Sequence, residues 1–401
     1  MTGEVLFLAH RAPFPPDRGD KIRSWNILNA IAKLAPTHVL AVADPDVDPA
    51  TGRNEISAIA ASVHIERPSY TRAQAVAKAL VTGQPASVCA FASRKLEHRM
   101  KHLLNDRPIS TIYAFSGQMA QFVPINRQGR RFVMDFVDMD SAKFAAFAEA
   151  RKGISRFANR VEGHRLFAFE KDVANRADRS LFISEEEASL FRTMSGIGSE
   201  RIGVLENGVD LVRFAPDRIH RPVDAGGAPL LVFTGQMDYR PNVDAVGTFA
   251  REALPIIRAV HPNTIFAIVG RAPAAEVKTL SVLPGVLVVG EVPDTRDWLA
   301  AADVVVAPLR LARGVQNKIL EAMAMAKPIV ASTAAAEGID AKSGHAFIVA
   351  RDSRAEARGV LDLLSNPEKA LMLGKNARAR AETRYGWEAR MAGLPAILGL
   401  E

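Results

Sequence analysis

The sequence predicts an α/β protein built from two doubly wound domains, in which helices cover both faces of a parallel sheet. Short apolar runs of strand length alternate with longer segments of helical period, a succession typical of parallel sheets. The alternation occurs in two series, separated by a stretch rich in proline, glycine and turn-forming residues. The chain of 401 residues also exceeds the length that one ordinary core supports.

The first series predicts buried strands and helices up to residue 205. Its strand-like runs are EVLFLAH, HVLAVAD, TIYAFS, RFVMDFVD and RSLFIS. A helix is expected over IRSWNILNAIAKLA, and basic helices over FASRKLEHRMKHLLNDR and residues 141–179. On the basic helices, Phe144, Phe147 and Phe157 indicate either a patch that attracts anionic lipid headgroups or an ordinary solvated face.

The second series begins with the turn-rich stretch at residues 206–228 and extends to residue 385. Strands are predicted at PLLVFTG, TIFAIVG, GVLVVGE, DVVVAPL, KPIVAS and HAFIVA, and helices at NVDAVGTFAREALPIIRAV, TRDWLAAA and NKILEAMAMA. Residues 386–401 are expected to form closing helices. Ligands of doubly wound sheets bind beyond the carboxyl ends of the strands, so two such domains can face each other across a central cleft.

Composition narrows the range of partners. The net charge of +7 favours anionic partners, such as phosphorylated metabolites or an acidic membrane face. Zinc spacing and RNA-binding aromatic signatures are missing from the sequence, so we expect no nucleic-acid partner. The single cysteine, Cys89, fits the core and a reducing compartment, and no apolar stretch approaches the ~18 residues of a membrane span. We therefore expect a cytoplasmic protein that can also work at the inner face of the cell membrane.

The Arg-Gly turn in PLRLARGVQNKILEAMAMAKPIVAS predicts an anion site. A strand end, a glycine turn and a helix N-terminus together present free backbone N–H groups and the positive end of the helix dipole. Gly314 permits close approach of a phosphate, Asn317 is the predicted N-cap, and Lys318 adds a full charge. Arg313 adds a bidentate guanidinium.

Glu321 lies one turn further along the same predicted helix. A carboxylate there does not suit phosphate, but it suits the paired hydroxyls of a ribose. The alternative is a surface ion pair with Lys318, which would contribute little. Elsewhere, Gly235 ends the first strand of the second series, and Arg240 follows it within reach of a diphosphate. No G-x-G-x-x-G motif accompanies Gly235, so a dinucleotide cofactor is not indicated.

Two loops of the first series carry charged residues where strands are expected to end. In PFPPDRGDKIRSWN, a tight turn at Gly19 is predicted among Arg18, Asp20 and Lys21. These four residues indicate substrate contact or else a charged surface loop. In VMDFVDMDS, Asp138 suits a general base, a hydroxyl-orienting residue or a helix N-cap, and no further cluster completes a metal site.

Several stretches resemble one family of enzymes. RIGVLENGVDLVRFAP looks like the interdomain signature of GT-B glycosyltransferases, and GVQNKILEAMAMAKPIVAS resembles the donor-site helix of glycosyltransferase family 4, the glycosyl transferases of group 1. ADVVVAPL and YGWE match as well, so the resemblance covers nearly the whole chain. HRAPFPPDRGDKIRS, DFVDMDS and FTGQMDYRPNVDAV are similar to sugar transferases associated with exosortase/PEP-CTERM exopolysaccharide clusters.

The resemblance implies a GT-B fold, with two Rossmann-like domains that face a central cleft. It implies that residues 1–205 bind the acceptor and residues 206–385 the nucleotide-diphosphate sugar. The expected reaction moves the sugar to a glycan or lipid-linked acceptor in exopolysaccharide or lipid-linked glycan synthesis. It is expected to retain configuration at the sugar and to need neither a bound metal nor a cofactor.

By matching position, Lys318 and the Gly314–Val315 amides would hold the diphosphate, and Glu321 the ribose. The Gly19 loop would face the acceptor or the reacting sugar. Lys318 and Arg240 would stabilise the charge that develops on the departing diphosphate. Asp138 falls near a position where many relatives carry a histidine.

Two departures from the family pattern bear on the donor. Arg313 stands where many members have a glutamate that touches the donor sugar, so it favours a uronic acid donor or else turns toward phosphate or solvent. Gln236 stands where a basic residue is frequent, which leaves Arg240 as the nearest predicted cation. The alternatives to transfer are a sugar-nucleotide epimerase on the same scaffold and a non-catalytic, degenerate transferase that acts as a scaffold.

Overall fold

The computed structural model describes residues 3–44, 47–150, 152–218, 223–312 and 315–400, and it divides into two compact units. The first unit comprises Met1–Asn207 and Arg390–Glu401, and the second comprises Gly208–Ala389. The sequence placed this division between residues 205 and 206. The sequence-based prediction left residues 386–401 outside both domains. In the structure, the segment from Arg390 belongs to the first unit.

A parallel sheet of seven strands forms the centre of the first unit, in the order β3-β2-β1-β4-β5-β6-β7. The strands are β1 (Glu4–Ala9), β2 (Thr37–Val42), β3 (Ser62–Glu66), β4 (Ile109–Phe115), β5 (Arg131–Val137), β6 (Arg179–Phe182) and β7 (Ile202–Val204). Every residue of β1 and β2 is buried, as expected for strands covered on both faces. The predicted strands of this series are confirmed, while β3 and β7, both at sheet edges, were not predicted.

Helices pack on both faces of this sheet. They are α1 (Gly19–Leu34), α2 (Arg53–Ser57), α3 (Arg72–Thr82), α4 (Ala86–Cys89), α5 (Arg94–Asp106), α6 (Asp140–Ala150), α7 (Gly153–Arg176) and α8 (Glu185–Ser195). The basic segment at 141–179 therefore contains two helices where the sequence suggested one long helix. Gly153 has a φ of 63° at the junction, a backbone conformation that a right-handed helix does not continue through.

The second unit has a parallel sheet of six strands in the order β10-β9-β8-β11-β12-β13. The strands are β8 (Leu230–Thr234), β9 (Ile265–Val269), β10 (Val286–Gly290), β11 (Val304–Ala307), β12 (Ile329–Ser332) and β13 (Ile348–Ala350). All six predicted strands of this series are confirmed. They are found from sequence because each run is nearly continuous in apolar residues, as expected for a parallel sheet whose central strands β8, β9, β11 and β12 are largely buried.

The helices of the second unit follow its strands in alternation. They are α9 (Arg240–Thr248), α10 (Leu254–Val260), α11 (Ala275–Lys278), α12 (Thr295–Ala301), α13 (Asn317–Ala324), α14 (Thr333–Ala336), α15 (Ser353–Ser365) and α16 (Pro367–Arg380). Two short helices then end the chain, α17 (Trp387–Met391) and α18 (Leu394–Leu398). The helix α18 packs on the first unit, where Thr111 Oγ1 donates a hydrogen bond to the carbonyl of Leu398 over 3.0 Å.

Strand order reverses once in each sheet, between β1 and β4 and between β8 and β11. In open α/β sheets, the crevice at the carboxyl ends of such strands is the usual ligand site. In the second unit, Gly235 follows β8, and α13 begins after β11. Within the part of the chain that the structure describes, no helix is both long and apolar enough to cross a membrane.

Candidate active site

A pocket of about 540 Å³ lies in the second unit, where β8, β9 and β10 end and α13 begins. Its wall contains two cations, two carboxylates and several polar groups. The lining residues are Thr234, Gly235, Gln236, Tyr239, Asn242, Gly270, Arg271, Glu291, Val292, Thr295, Val315, Gln316, Asn317, Lys318 and Glu321. Sequence-predicted residues from two separate motifs, at Gly235 and at Lys318, therefore meet in one cavity.

The Lys318 ammonium is held at the end of β8. Its Nζ donates a 2.6 Å hydrogen bond to Asn242 Oδ1, and it lies 4.1 Å from the ring centroid of Phe233. Burial lowers the pKa of Lys318 to about 7, although the negative charge of Glu321 acts to raise it. The ammonium binds Asn242 and not the carboxylate one turn away, so the surface ion pair considered from sequence is wrong.

Two glycines bring the backbone close together beneath the ammonium. A Cβ on Gly270 would lie 1.6 Å from the carbonyl oxygen of Gly235, and Gly270 has a φ of +153°. A Cβ on Gly235 would lie 2.8 Å from Asn242 Nδ2 and 3.3 Å from Lys318 Nζ. Side chains at either position would therefore displace neighbouring atoms. Glycine at both positions lets the segments after β8 and β9 pack closely against each other at the floor of the pocket, beside Asn242 and Lys318.

Glu321 lies one turn deeper on α13 and keeps partial exposure to the pocket. Burial raises its pKa to about 7, although the positive charges of Arg213 and Lys318 act to lower it. The carboxylate is thus poised between its neutral and charged forms near neutral pH. Such a group suits a neutral ligand with hydroxyl donors better than it suits phosphate.

The N-terminus of α13 differs in one respect from the prediction. Gln316 is the N-cap residue, with extended backbone, and Asn317 is the first residue of the helix, so the predicted N-cap role of Asn317 is wrong. Asn317 is exposed and lines the pocket together with Val315. Arg313 and Gly314, both predicted donor-binding residues, lie outside the described residues.

The structure does not bring Arg240 to the pocket wall. Its guanidinium is exposed and forms ion pairs with Asp244 (2.8 Å) and Glu276 (3.2 Å), and Arg240 is not among the lining residues. Arg271, which the sequence analysis missed, lines the pocket and donates a 3.0 Å hydrogen bond to Gln236 Oε1. The signal that would have identified Arg271 is its place directly after Gly270, the glycine that follows β9.

Asn242 and Thr234 were also missed. Asn242 is buried and connects Lys318 to the strand end, since its Nδ2 donates a 2.9 Å hydrogen bond to the Gln236 carbonyl. Thr234 Oγ1 is buried at the pocket and has no hydrogen-bond partner among the described residues. This hydroxyl lies beneath the pocket surface, so it marks a polar group that the described residues leave unsatisfied next to the pocket.

Comparison with known proteins places this pocket in a family. The family model described as glycosyl transferases group 1 matches residues 228–366, which include the whole pocket. A GDP-mannose-dependent alpha-(1-6)-phosphatidylinositol monomannoside mannosyltransferase of Mycolicibacterium smegmatis is 27% identical over 409 residues, and the match covers 96% of each chain. Residues 228–366 form a group 1 glycosyltransferase domain, and the chain is a glycosyltransferase.

Other similarities agree on the fold and the family. A phosphatidyl-myo-inositol mannosyltransferase of Propionibacterium freudenreichii is 29% identical over 240 residues, and this match spans 58% of the chain and 56% of that relative's length. Anabaena HepE, crystallised with UDP and glucose, superposes with a TM-score of 0.62 at 15% identity over 99% of both chains. The sucrose-phosphate synthase of Thermosynechococcus elongatus gives a TM-score of 0.62 at 20% identity over 98% of both chains. The predicted GT-B fold is confirmed.

In the first unit of this glycosyltransferase, the predicted acceptor residues form an ion cluster around Asp44. Arg18 Nη2 lies 2.7 Å and Lys21 Nζ 3.1 Å from the Asp44 carboxylate. Burial acts to raise the pKa of Asp44, but the hydrogen bonds from Lys21 and Arg18 outweigh it and the pKa is lowered. The predicted tight turn at Gly19 is wrong, because Gly19 is the first residue of α1 and Arg18 its N-cap.

Two further carboxylates of the first unit can now be placed. Asp20, in the first turn of α1, lies 2.7 Å from the Arg11 guanidinium and 3.2 Å from His10 Nε2. Asp138 follows β5 and accepts a 2.8 Å hydrogen bond from Lys143 Nζ. Since Asp138 belongs to the first unit and the pocket to the second, its catalytic role stays a prediction.

Proposed function

We propose that this glycosyltransferase binds a nucleoside-diphosphate sugar in the pocket of its second unit and transfers the sugar to an acceptor. The observation that carries the proposal is the meeting of Lys318, Arg271 and the Gly235–Gly270 floor, with Glu321 one turn deeper. Two basic side chains in one pocket, Lys318 and Arg271, match a diphosphate. A carboxylate about one helical turn away matches the hydroxyls of the attached ribose.

The diphosphate is the leaving group of the reaction, and its negative charge grows as the bond to the sugar breaks. Lys318 is held in advance by Asn242, so it need not reorganise when that charge develops. The N-terminus of α13, whose residues Asn317 and Lys318 line the pocket, adds backbone N–H donors. The exposed ring of Tyr239 at the rim offers a face on which a nucleobase can stack.

The proposal includes finer points that rest on family resemblance. We propose that the transferred sugar retains its configuration and that no metal takes part, since Lys318 and Arg271 neutralise the diphosphate. The acceptor is proposed to be a growing exopolysaccharide or a lipid-linked glycan, bound by the first unit near Arg18, Gly19, Asp20 and Lys21. The names of the Mycolicibacterium and Propionibacterium relatives favour mannose as the first donor sugar to test.

A donor panel tests the proposal directly. GDP-mannose, UDP-glucose and UDP-glucuronic acid are each incubated with the protein, with and without membrane extract as an acceptor source, and nucleotide release is measured. We expect acceptor-dependent release from one donor, unchanged by EDTA and lost in folded Lys318→Met and Glu321→Gln variants. The exposed Lys278→Met variant in the same unit serves as the matched control.

Each alternative function has its own outcome in this panel. A donor that is isomerised when no acceptor is present would identify a sugar-nucleotide epimerase. No release, together with no nucleotide binding at millimolar concentration, would identify a scaffold. Unchanged release by both pocket variants would show that the pocket is not the donor site.

A further inference from the structure

A second cavity, of about 300 Å³, lies in the first unit between α6, α7 and α8. Its wall is largely apolar, and its apolar lining residues are Ala142, Ala145, Ala148, Phe167, Leu190 and Met194. The helices α6 and α7 are in contact beside the cavity: a Cβ on Gly163 would lie 3.4 Å from Phe144 Cβ and 3.4 Å from the Ser141 carbonyl oxygen. The α6–α7 pair therefore forms one wall of the cavity.

Apolar side chains around this cavity face solvent. Leu190 and Met194, one turn apart on α8, are 40% and 49% exposed, and both line the cavity. Near the junction of α6 and α7, Phe147 is 52% and Phe157 is 69% exposed. Exposed apolar residues that surround an open apolar cavity indicate a binding surface, whereas isolated exposed residues do not.

The rim of the cavity carries basic side chains. Arg156, Arg160 and His164 recur at every fourth position of α7, so they lie along one side of that helix and all line the cavity. Glu149 is the carboxylate among the lining residues. Arg156 and Arg160 are exposed, and neither forms an ion pair with any residue that the structure describes. An anion at this rim therefore meets unpaired guanidinium groups.

We propose that this cavity takes an acyl chain of an anionic membrane phospholipid, while the headgroup phosphate binds Arg156 and Arg160. The apolar wall suits a hydrocarbon chain, and the rim supplies the complementary charge at the chain's polar end. A second copy of the chain fits less well, because two-fold pairing through this face would bring the same arginines together. This proposal locates the predicted membrane association, and its test needs no transfer activity, so it can fail independently of the proposed function.

Vesicle co-sedimentation measures the charge component. We expect the protein to bind vesicles of phosphatidylcholine with phosphatidylglycerol and not pure phosphatidylcholine vesicles. Arg156→Gln with Arg160→Gln should weaken binding about 30-fold, since each cation near an anionic surface contributes about 1 kcal/mol. The matched control is Arg94→Gln with Arg99→Gln on α5, which removes the same net charge from exposed positions. This control variant should bind the anionic vesicles with an affinity much closer to that of the wild type.

A second pair of variants tests the apolar wall. Leu190→Asp with Met194→Asp should lower vesicle binding at least about tenfold. Leu371→Asp with Met372→Asp, at 58% and 50% exposed positions of the second unit, should leave it unchanged. Equal losses in both pairs would overturn the proposal.

A fluorescence measurement tests whether the lipid acyl chain enters the cavity. A tryptophan introduced by Leu190→Trp should be quenched by vesicles whose phosphatidylglycerol carries brominated acyl chains, and not by brominated lipid in pure phosphatidylcholine. Quenching by free glycerol phosphate alone is not expected. Binding without quenching would overturn the proposal, as would a concentration-dependent dimer that the Leu190→Asp and Met194→Asp changes abolish.

Discussion

Replacing Lys318 by methionine should stabilise the protein below neutral pH while it removes the proposed diphosphate ligand. Burial lowers the pKa of Lys318 from an ordinary value of 10.5 to about 7. The folded protein therefore holds this proton much more weakly than the unfolded chain does. Near pH 6, a shift of that size corresponds to a destabilisation of about 5 kcal/mol. Partial exposure to the pocket and solvent screening reduce it, and we expect about 2 kcal/mol.

The sign follows from proton binding. Between pH 7 and 10.5 the unfolded chain keeps a proton that the folded protein releases, so this group makes the wild type more stable as pH rises. Methionine does not titrate, so the variant lacks this pH dependence. Its excess free energy of unfolding over the wild type should fall from about 2 kcal/mol at pH 6 to less than 1 kcal/mol at pH 10. Loss of the ammonium removes one of the two positive charges that act on Glu321, but Arg213 remains, and the raised pKa keeps the carboxylate largely neutral at pH 6.

Calorimetric unfolding at several pH values measures this effect. A gain of about 2 kcal/mol raises the unfolding temperature by roughly 4–8 °C at pH 6. The control is Lys278→Met, an exposed lysine of the same unit, for which we expect little change at any pH. A Lys318→Met protein that is less stable than wild type at pH 6, or a difference that does not vary with pH, would refute the argument from burial.

Three further predictions follow from the same geometry. Arg271→Gln should raise the KM for the donor about tenfold, while Arg240→Gln, which removes two surface ion pairs, should leave it within twofold. The opposite order would support the sequence-based assignment of Arg240. Gly270→Ala should destabilise the second unit by more than about 2 kcal/mol in urea unfolding, because its Cβ would overlap a carbonyl oxygen at 1.6 Å, and a wild-type midpoint would contradict this. Arg23→Met should lower the free energy of unfolding by about 3–5 kcal/mol, because it strands the buried Asp135 carboxylate that Arg23 contacts at 3.0 Å; a loss below 1 kcal/mol would show that the pair is not needed.

The fold was predictable because burial on both faces of a parallel sheet leaves nearly unbroken apolar runs. The strands that escaped prediction carry a weaker signal. Strand β3 at one edge is mostly half-buried, with polar residues in SVHIE, and β7 at the other edge has three residues. Edge position alone does not explain these misses, because the edge strands β10 and β13 of the second sheet were predicted from their nearly unbroken apolar runs.

The pocket was predictable in part, and its errors share a cause. Lys318 and Glu321 were found because a strand, a turn and a helix place them in register within one segment. Arg271 was missed, and Arg240 does not line the pocket, because sequence distance from Gly235 does not show which side chains meet there. Pairing of β9 with β8 brings Arg271 beside Gln236, whereas Arg240, at the start of α9, pairs with Asp244 and Glu276. Such contacts depend on sheet order, which the local sequence does not encode.

Proton uptake on nucleotide binding tests the central claim most directly. UDP and GDP are titrated at pH 8 by calorimetry in buffers of different ionisation enthalpy, with wild type, Lys318→Met and Lys278→Met. At this pH Lys318 is largely neutral, and a diphosphate beside it should draw back its proton, so binding by wild type and Lys278→Met should take up nearly one proton. Lys318→Met should bind at least about tenfold more weakly without proton uptake. Equal affinity and equal uptake in all three proteins would show that the diphosphate does not bind at Lys318.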